Sequence, residues 1–243
     1  MSAPEGEPDL TVVVAAYNEV ETLSPVAEEL AAALRGLGRP WEILIVDDGS
    51  TDGTGERADR LAAAGPGVRV IHHLVNRGLG GVYRAGFDGA RGRHVTFFPA
   101  DGQFPASILT DFRAAIESAD LVLGFLPERR GTPLSALLSR LERLLYWVLL
   151  GSMPTFQGIL MFRRSLLAGM SLRSTGRGWA VLLEFILRAT RGGARIAHRP
   201  TPIRPRMSGH SKVNNLRTIF SSVGQALTLR RILAEPPRLG DQR

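Results

Sequence analysis

Two apolar runs in this chain end in acidic, glycine-bearing turns, and that pairing restricts the fold more than any other feature. His94 to Phe98 reads as a buried strand and opens into Pro99-Ala100-Asp101-Gly102-Gln103-Phe104-Pro105. Trp41 to Val46 reads as a second, and it empties into Asp47-Asp48-Gly49-Ser50-Thr51-Asp52-Gly53-Thr54. Short runs that are apolar throughout fit strands covered on both faces, as in a parallel sheet layered with helices. In such an open sheet the crevice beyond the carboxyl ends of the strands binds ligands, so Asp47, Asp48 and Asp101 are candidate site residues. Carboxylates and glycines at two strand ends point to a polyanionic ligand held partly through Mg2+ or Mn2+, cations that take oxygen ligands. Cysteine is absent, which removes disulfides and Cys-ligated zinc from consideration.

The remaining chain extends the same pattern. Leu10 to Ala16 predicts a first strand, followed by Tyr17-Asn18-Glu19, and Glu21 to Leu37 has helical spacing. Thr54 is placed to cap a helix through Ala64, Val68 to Ile71 is a short strand, and Asn76-Arg77-Gly78-Leu79-Gly80-Gly81 is a glycine-rich turn before a helix from Val82 to Ala90. A helix over Ala106 to Ser118 and a strand over Asp120 to Gly124 continue the alternation. The expected fold class is therefore α/β, with a mostly parallel central sheet and helices on both faces.

The second half differs in character. Leu134 to Leu150 and Asn214 to Ala234 read as amphipathic helices, shorter or more charged than the ~20 apolar residues that span a bilayer, and open to either core packing or a membrane surface. Ile159 to Phe162 is a candidate strand. Glu184 sits in an apolar helix over Trp179 to Thr190, either as a partnered structural acid or as a catalytic base. Arg206 to Lys212 is a basic, glycine-containing loop suited to closing over a phosphate.

The formal charge of +7 over 243 residues comes almost wholly from arginine, since Lys212 is the one lysine. Arginine favours flat bidentate contacts with phosphate, and its scatter without interleaved aromatics argues against a nucleic-acid partner. Met1 to Asp9 is short, acidic and proline-containing, unlike a signal peptide, so a cytoplasmic location is expected. Residues 1–8 and 235–243 are expected to be frayed ends.

Five motifs in this order make the chain resemble the inverting family 2 glycosyltransferases, and within them the polyprenyl-phosphate sugar synthases such as dolichol-phosphate mannose synthase. They are Val13-Val14-Ala15-Ala16-Tyr17-Asn18-Glu19, Val46 to Thr54, Asn76-Arg77-Gly78-Leu79-Gly80, Ala100-Asp101-Gly102-Gln103, and Pro202-Ile203 through Arg206 to Ser211-Lys212. The resemblance implies a GT-A fold over residues 9–212, followed by an amphipathic helix over 213–234. It also implies a GDP- or UDP-sugar donor and a polyprenyl phosphate acceptor, with the protein peripheral on the inner face of the membrane or held there by a small membrane protein.

By the same resemblance Ala15, Tyr17, Glu19, Asp47, Asp48, Asn76, Gly78, Gly80 and Asp101 would contact the nucleotide-sugar. Asp101 and Gln103 would hold Mg2+ or Mn2+, and Arg206 and Lys212 would act with Asp101 in catalysis. Two positions depart from the family pattern: Pro99 stands where an acid is usual, and Leu126 where an arginine receives the acceptor phosphate. Arg129, Arg130 or Arg140 are the candidates to replace the latter. Two other functions stay open at this stage, a family 2 transferase with a glycan or soluble acceptor, and a weakly catalytic nucleotide-sugar-binding regulator of a membrane partner.

Overall fold

A computed structural model describes residues 6–126, 149–151, 154–205 and 227–233. Its strands are β1 (Leu10–Ala16), β2 (Trp41–Asp47), β3 (Val68–His72), β4 (His94–Pro99), β5 (Leu121–Phe125), β6 (Leu160–Arg163) and β7 (Ile196–Pro200). Its helices are α1 (Leu23–Gly36), α2 (Thr54–Ala64), α3 (Gly78–Gly89), α4 (Ile108–Ala115) and α5 (Ala180–Arg191). The strands form one sheet in the order β3-β2-β1-β4-β6-β5-β7.

Side chains alternate across the sheet with period two, and each face buries its own set. On one face Val12, Val14, Ile43, Ile45 and Phe98 pack against Leu23, Leu30 and Leu34 of α1 and Leu109 and Phe112 of α4. On the other face Val13, Leu44, Val46, Val95 and Phe97 meet Val82, Tyr83 and Phe87 of α3 and Val181, Leu182, Phe185 and Ile186 of α5. Helices on both faces explain why these strands carry unbroken apolar runs.

The strand order places the ligand crevice. From β1 the chain steps through β2 to β3 on one side, and β4 then pairs with β1 on the other, so the order reverses at the carboxyl ends of β1 and β4. That reversal is the topological switch point at which open sheets bind ligands. Ala16 is in register with Asp47, and Ala15 with Pro99, so the two acidic turns leave the sheet on either side of β1.

Three details depart from the linear reading. The sheet is parallel except at β6, which inserts between β4 and β5 and runs antiparallel to both. Leu160, Met161 and Phe162 are fully buried, and only a central position covers both of their faces. Helix α3 starts at Gly78, four residues before the expected Val82, because a carboxylate from the turn after β2 caps it. Helix α2 begins at Thr54, but its capping acceptor is Asp52, whose Oδ1 accepts from the Thr54 amide at 3.0 Å.

Of the stretch from Leu134 to Leu150 only Leu149 and Leu150 are described, and of Asn214 to Ala234 only residues 227–233, which are helical. Leu150 and Leu229 are buried with Leu187 of α5. These leucines therefore serve protein packing. No helix among the described residues is long and apolar enough to cross a membrane.

Candidate active site

Two loops zip together at the mouth of β1 and β2. The Asn18 amide donates to Ser50 Oγ at 3.0 Å, while Asn18 Oδ1 accepts from the Thr51 amide at 2.9 Å. Glu19 donates its amide to Thr54 Oγ1 at 2.8 Å, and its carboxylate accepts from Thr22 Oγ1 at 2.9 Å. Tyr17 stays exposed on this rim, and Ala15 is half-buried at the end of β1. Ala15 also ties the neighbouring turn, its carbonyl accepting from the Ala100 amide at 2.9 Å.

Asp47 is buried and held on both carboxylate oxygens. Oδ1 accepts from the Ser50 amide at 3.1 Å, and Oδ2 lies 3.0 Å from His72 Nδ1. Burial pushes its carboxyl up, but the hydrogen bonds from Ser50 and His72 outweigh this and hold it below the ordinary value. His72 reaches Asp59 with its other nitrogen, at 3.0 Å. With both ring nitrogens on carboxylates the imidazole is driven toward its protonated form, first by Asp47 and then by Asp59.

A pH dependence follows with a definite sign. A raised folded value means that His72 contributes stability that is full below the ordinary imidazole value of 6.5 and is lost as pH rises through the folded value. The melting-point difference between wild type and His72→Asn should therefore narrow as pH rises above about 6.5. A gap that widens over that range would contradict the pairing.

Asp48 does different work. Its Oδ1 accepts from the Arg77 amide at 2.9 Å and lies 2.6 Å from His73 Nδ1, and its Oδ2 accepts from the Gly78 amide at 2.8 Å. A carboxylate on the first amides of α3 satisfies orphan donors and complements the helix dipole. Asn76 completes this joint by donating Nδ2 to the Asp48 carbonyl at 3.2 Å.

A segment that the sequence did not single out covers the glycine-rich turn. The Arg177 carbonyl accepts from the Gly80 amide at 2.9 Å, and the Arg177 guanidinium reaches the Asn76 carbonyl at 2.7 Å and also the Asn76 side-chain oxygen. A Cβ on Gly80 would lie 2.1 Å from the Gly176 carbonyl oxygen, and one on Gly78 would lie 2.5 Å from that of Arg177. Both glycines permit the close approach of another backbone. Asp48, Asn76, Gly78 and Gly80 thus build the crevice wall through contacts within the chain.

Glu184 anchors that covering segment. It is fully buried, and its carboxylate accepts from the Arg173 amide at 3.0 Å, the Ser174 amide at 2.7 Å and Arg188 Nε at 2.8 Å. Of the two readings open for this acid, the partnered structural one is what the geometry shows. The local sequence around Gly176-Arg177-Gly178 gives one retrospective signal: two small residues facing a second Gly-x-Gly.

Asp101 lies two residues past β4, 7 % exposed, and its Oδ1 accepts from the Gln103 amide at 3.1 Å within the turn. The Gln103 carbonyl in turn accepts from the Arg204 amide at 2.8 Å, and the Arg204 guanidinium grips Glu29 with two bonds of 3.0 Å. The chain that leaves β7 is thus fastened to the Asp101 turn two residues before Arg206. Arg206, Lys212, Arg129, Arg130 and Arg140 lie outside the described residues.

The oxygen-only pair Asp101 and Gln103 has donor chemistry that fits Mg2+ or Mn2+ when a diphosphate supplies further oxygens. No group of three or more His, Asp or Glu among the described residues is arranged to hold a metal by itself.

The family model for glycosyl transferase family 2 matches residues 11–168, which include both acidic turns and the wall between them. The chain belongs to glycosyltransferase family 2. This glycosyltransferase is 31% identical over 215 residues to an undecaprenyl-phosphate mannosyltransferase of Micrococcus luteus, covering 83% of this chain and 86% of that one. It is also 31% identical over 231 residues to a polyprenol monophosphomannose synthase of Mycolicibacterium smegmatis, covering 88% and 85%. Among solved structures, glucosyl-3-phosphoglycerate synthase from Mycobacterium tuberculosis in complex with UDP superposes with a TM-score of 0.68 at 21% identity, over 98% of this chain and 84% of that one. That likeness establishes the GT-A fold. Other crystal structures of the same synthase hold Mn2+ or Mg2+ together with UDP.

Proposed function

We propose that this glycosyltransferase moves a sugar, with inversion, from a GDP- or UDP-sugar to a polyprenyl phosphate at the cytoplasmic face of a membrane, acting as a peripheral protein. One observation carries the reading. The Asp47 and Asp101 turns flank the end of β1, and the chain leading into Arg206 is hydrogen-bonded to Gln103. Two acidic turns and the segment leading toward Arg206 therefore meet at one switch point, an arrangement that supports a donor pocket there. The names of the two relatives that match over more than four-fifths of their length support the acceptor class.

In this reading Tyr17, Glu19 and Asp47 line the nucleoside end of the crevice, and Asp101 with Gln103 faces the diphosphate. Mg2+ or Mn2+ held by Asp101 and Gln103 would supply charge neutralisation for the departing diphosphate. Arg206 and Lys212 would supply positive charge to the same leaving group. An oxygen of the acceptor phosphate attacks the anomeric carbon from the face opposite the diphosphate; the new C–O bond forms as the bond to the diphosphate breaks. The acceptor oxygen is already anionic at neutral pH, so no general base is required, and Glu184 is correspondingly committed to structure. Catalysis rests on placing the two substrates in line.

The test is transfer to a short-chain, water-soluble prenyl phosphate from a panel of GDP- and UDP-sugars, with the product identified by mass. The expected product is a prenyl-phospho-sugar, formed with one donor preferred and absent when the unphosphorylated prenol is supplied. Transfer to a soluble glycan in preference to every prenyl phosphate would overturn the assignment.

A further inference from the structure

We propose that the loop between β3 and α3, with Leu74 and Val75 at its tip and Trp179 beside it, is a bilayer-contacting surface that seats on anionic lipid and turns the donor crevice toward a lipid acceptor. The inference rests on the polyprenyl-phosphate reading above and adds the part of the protein that meets the membrane. Leu74 is 95% exposed and Val75 66%, and they are consecutive. Single exposed apolar side chains are ordinary on a protein surface, but an adjacent pair at a loop tip presents a continuous apolar feature to solvent.

The base of this loop is stiff. His73 is buried on Asp48, and the His73 amide donates to the Asp47 carbonyl at 2.8 Å. On the other side Asn76 is held by Asp48 and by Arg177. A Cβ on Gly49, whose φ is +73°, would meet the Asn76 amide nitrogen and the Val75 carbonyl carbon at 2.7 Å, so the backbone under the tip is also packed. The two apolar side chains are therefore projected outward from a fixed frame one or two residues from the crevice wall.

Charge decides what this tip fits. Arg77 and Arg177 are exposed on its flank and pair with no carboxylate among the described residues. Trp179, 47% exposed, follows Arg177 by two residues, with its ring 6.1 Å from Tyr83. Apolar side chains at the tip, an aromatic ring at the edge and guanidinium groups with no carboxylate partner behind them match the acyl boundary, interface and anionic headgroups of a bilayer in that order. Leu150 and Leu229, from the two helical stretches outside the main fold, are buried against Leu187, whereas Leu74 and Val75 are the most exposed large apolar side chains among the described residues.

The experiment is sedimentation of the full chain with vesicles of phosphatidylcholine, with and without phosphatidylglycerol, at low and high salt. Wild type is expected to partition to the phosphatidylglycerol vesicles and to release at high salt, where headgroup attraction is screened. Leu74→Ser/Val75→Ser should weaken partition about tenfold, since binding scales with inserted apolar area. Its melting point and its turnover of the short-chain soluble acceptor should stay at wild-type levels. Leu74→Glu, which adds repulsion from the headgroups, provides a second variant at one position.

Wild type that remains in the supernatant, or variants that sediment like wild type, would overturn the inference; a docking protein would then be the occupant of this rim. Partition without transfer to any prenyl phosphate would instead refute the function while leaving the lipid surface in place. Transfer without partition would do the reverse.

Discussion

Exchanging Asp101 for asparagine is expected to lower kcat/KM for sugar transfer by about a thousandfold, equivalent to about 4 kcal/mol of transition-state stabilisation. The exchange separates the turn-forming role of this side chain from its proposed role as a cation partner. As a turn former Asp101 needs only an oxygen to accept from the Gln103 amide, and asparagine retains one. As a partner of a cation at the diphosphate it needs its charge, which asparagine lacks. The variant should fold with a melting point close to wild type and bind the donor without its dependence on Mn2+. Asp101→Ala, which removes both roles, should lose at least as much activity. Calorimetry settles the matter directly: donor affinity in the presence of Mn2+ that is undiminished in Asp101→Asn would reduce this residue to a turn former.

What could be read from residues and what could not divide along a physical line. The strands before Asp47 and Asp101 were legible because an apolar run covered on both sides leaves a local record, and a carboxylate after it marks the strand end. The start of α3 was not legible. Its capping carboxylate, Asp48, comes from 30 positions upstream of the Gly78 amide that it accepts from, and no window of local sequence contains both. The place of β6 was hidden for the same reason: four residues read as a strand, but strand order is a property of the assembled sheet. The glycine-rich turn is also shaped by a distant part of the chain. Gly78 and Gly80 are glycines because the backbone of 176–178 lies on them, a cause that sits about a hundred residues away in the chain.

Glu184 is where the sequence was balanced between two readings and the structure supplies a quantitative expectation. Glu184→Ala strands three donors in a buried pocket, the Arg173 and Ser174 amides and Arg188 Nε. Removing one member of a buried, hydrogen-bonded charge pair costs about 3–5 kcal/mol. For a chain of this size that corresponds to a fall in melting point of about 10 °C. Glutamine is a sharper probe, because it keeps the volume but turns an NH2 group toward donors that need an acceptor. Its expected cost is smaller, about 1–3 kcal/mol.

The pH dependence identifies the charge as the cause. Burial pushes the Glu184 carboxyl up, and the Arg173 and Ser174 donors with Arg188 outweigh it, so the folded value lies below the ordinary 4.5. A depressed carboxylate contributes stability that is present above the unfolded value and is lost as pH falls through the folded one. The gap in melting point between wild type and Glu184→Gln should therefore be constant near neutrality and close in acid. The same variant should raise the donor KM more than it lowers kcat, because the segment it loosens carries Arg177 and the carbonyls that lie on Gly78 and Gly80. A fall in kcat of several orders with an unchanged melting point would mean that Glu184 acts as a base after all, and the claim that the acceptor phosphate needs none would fall with it.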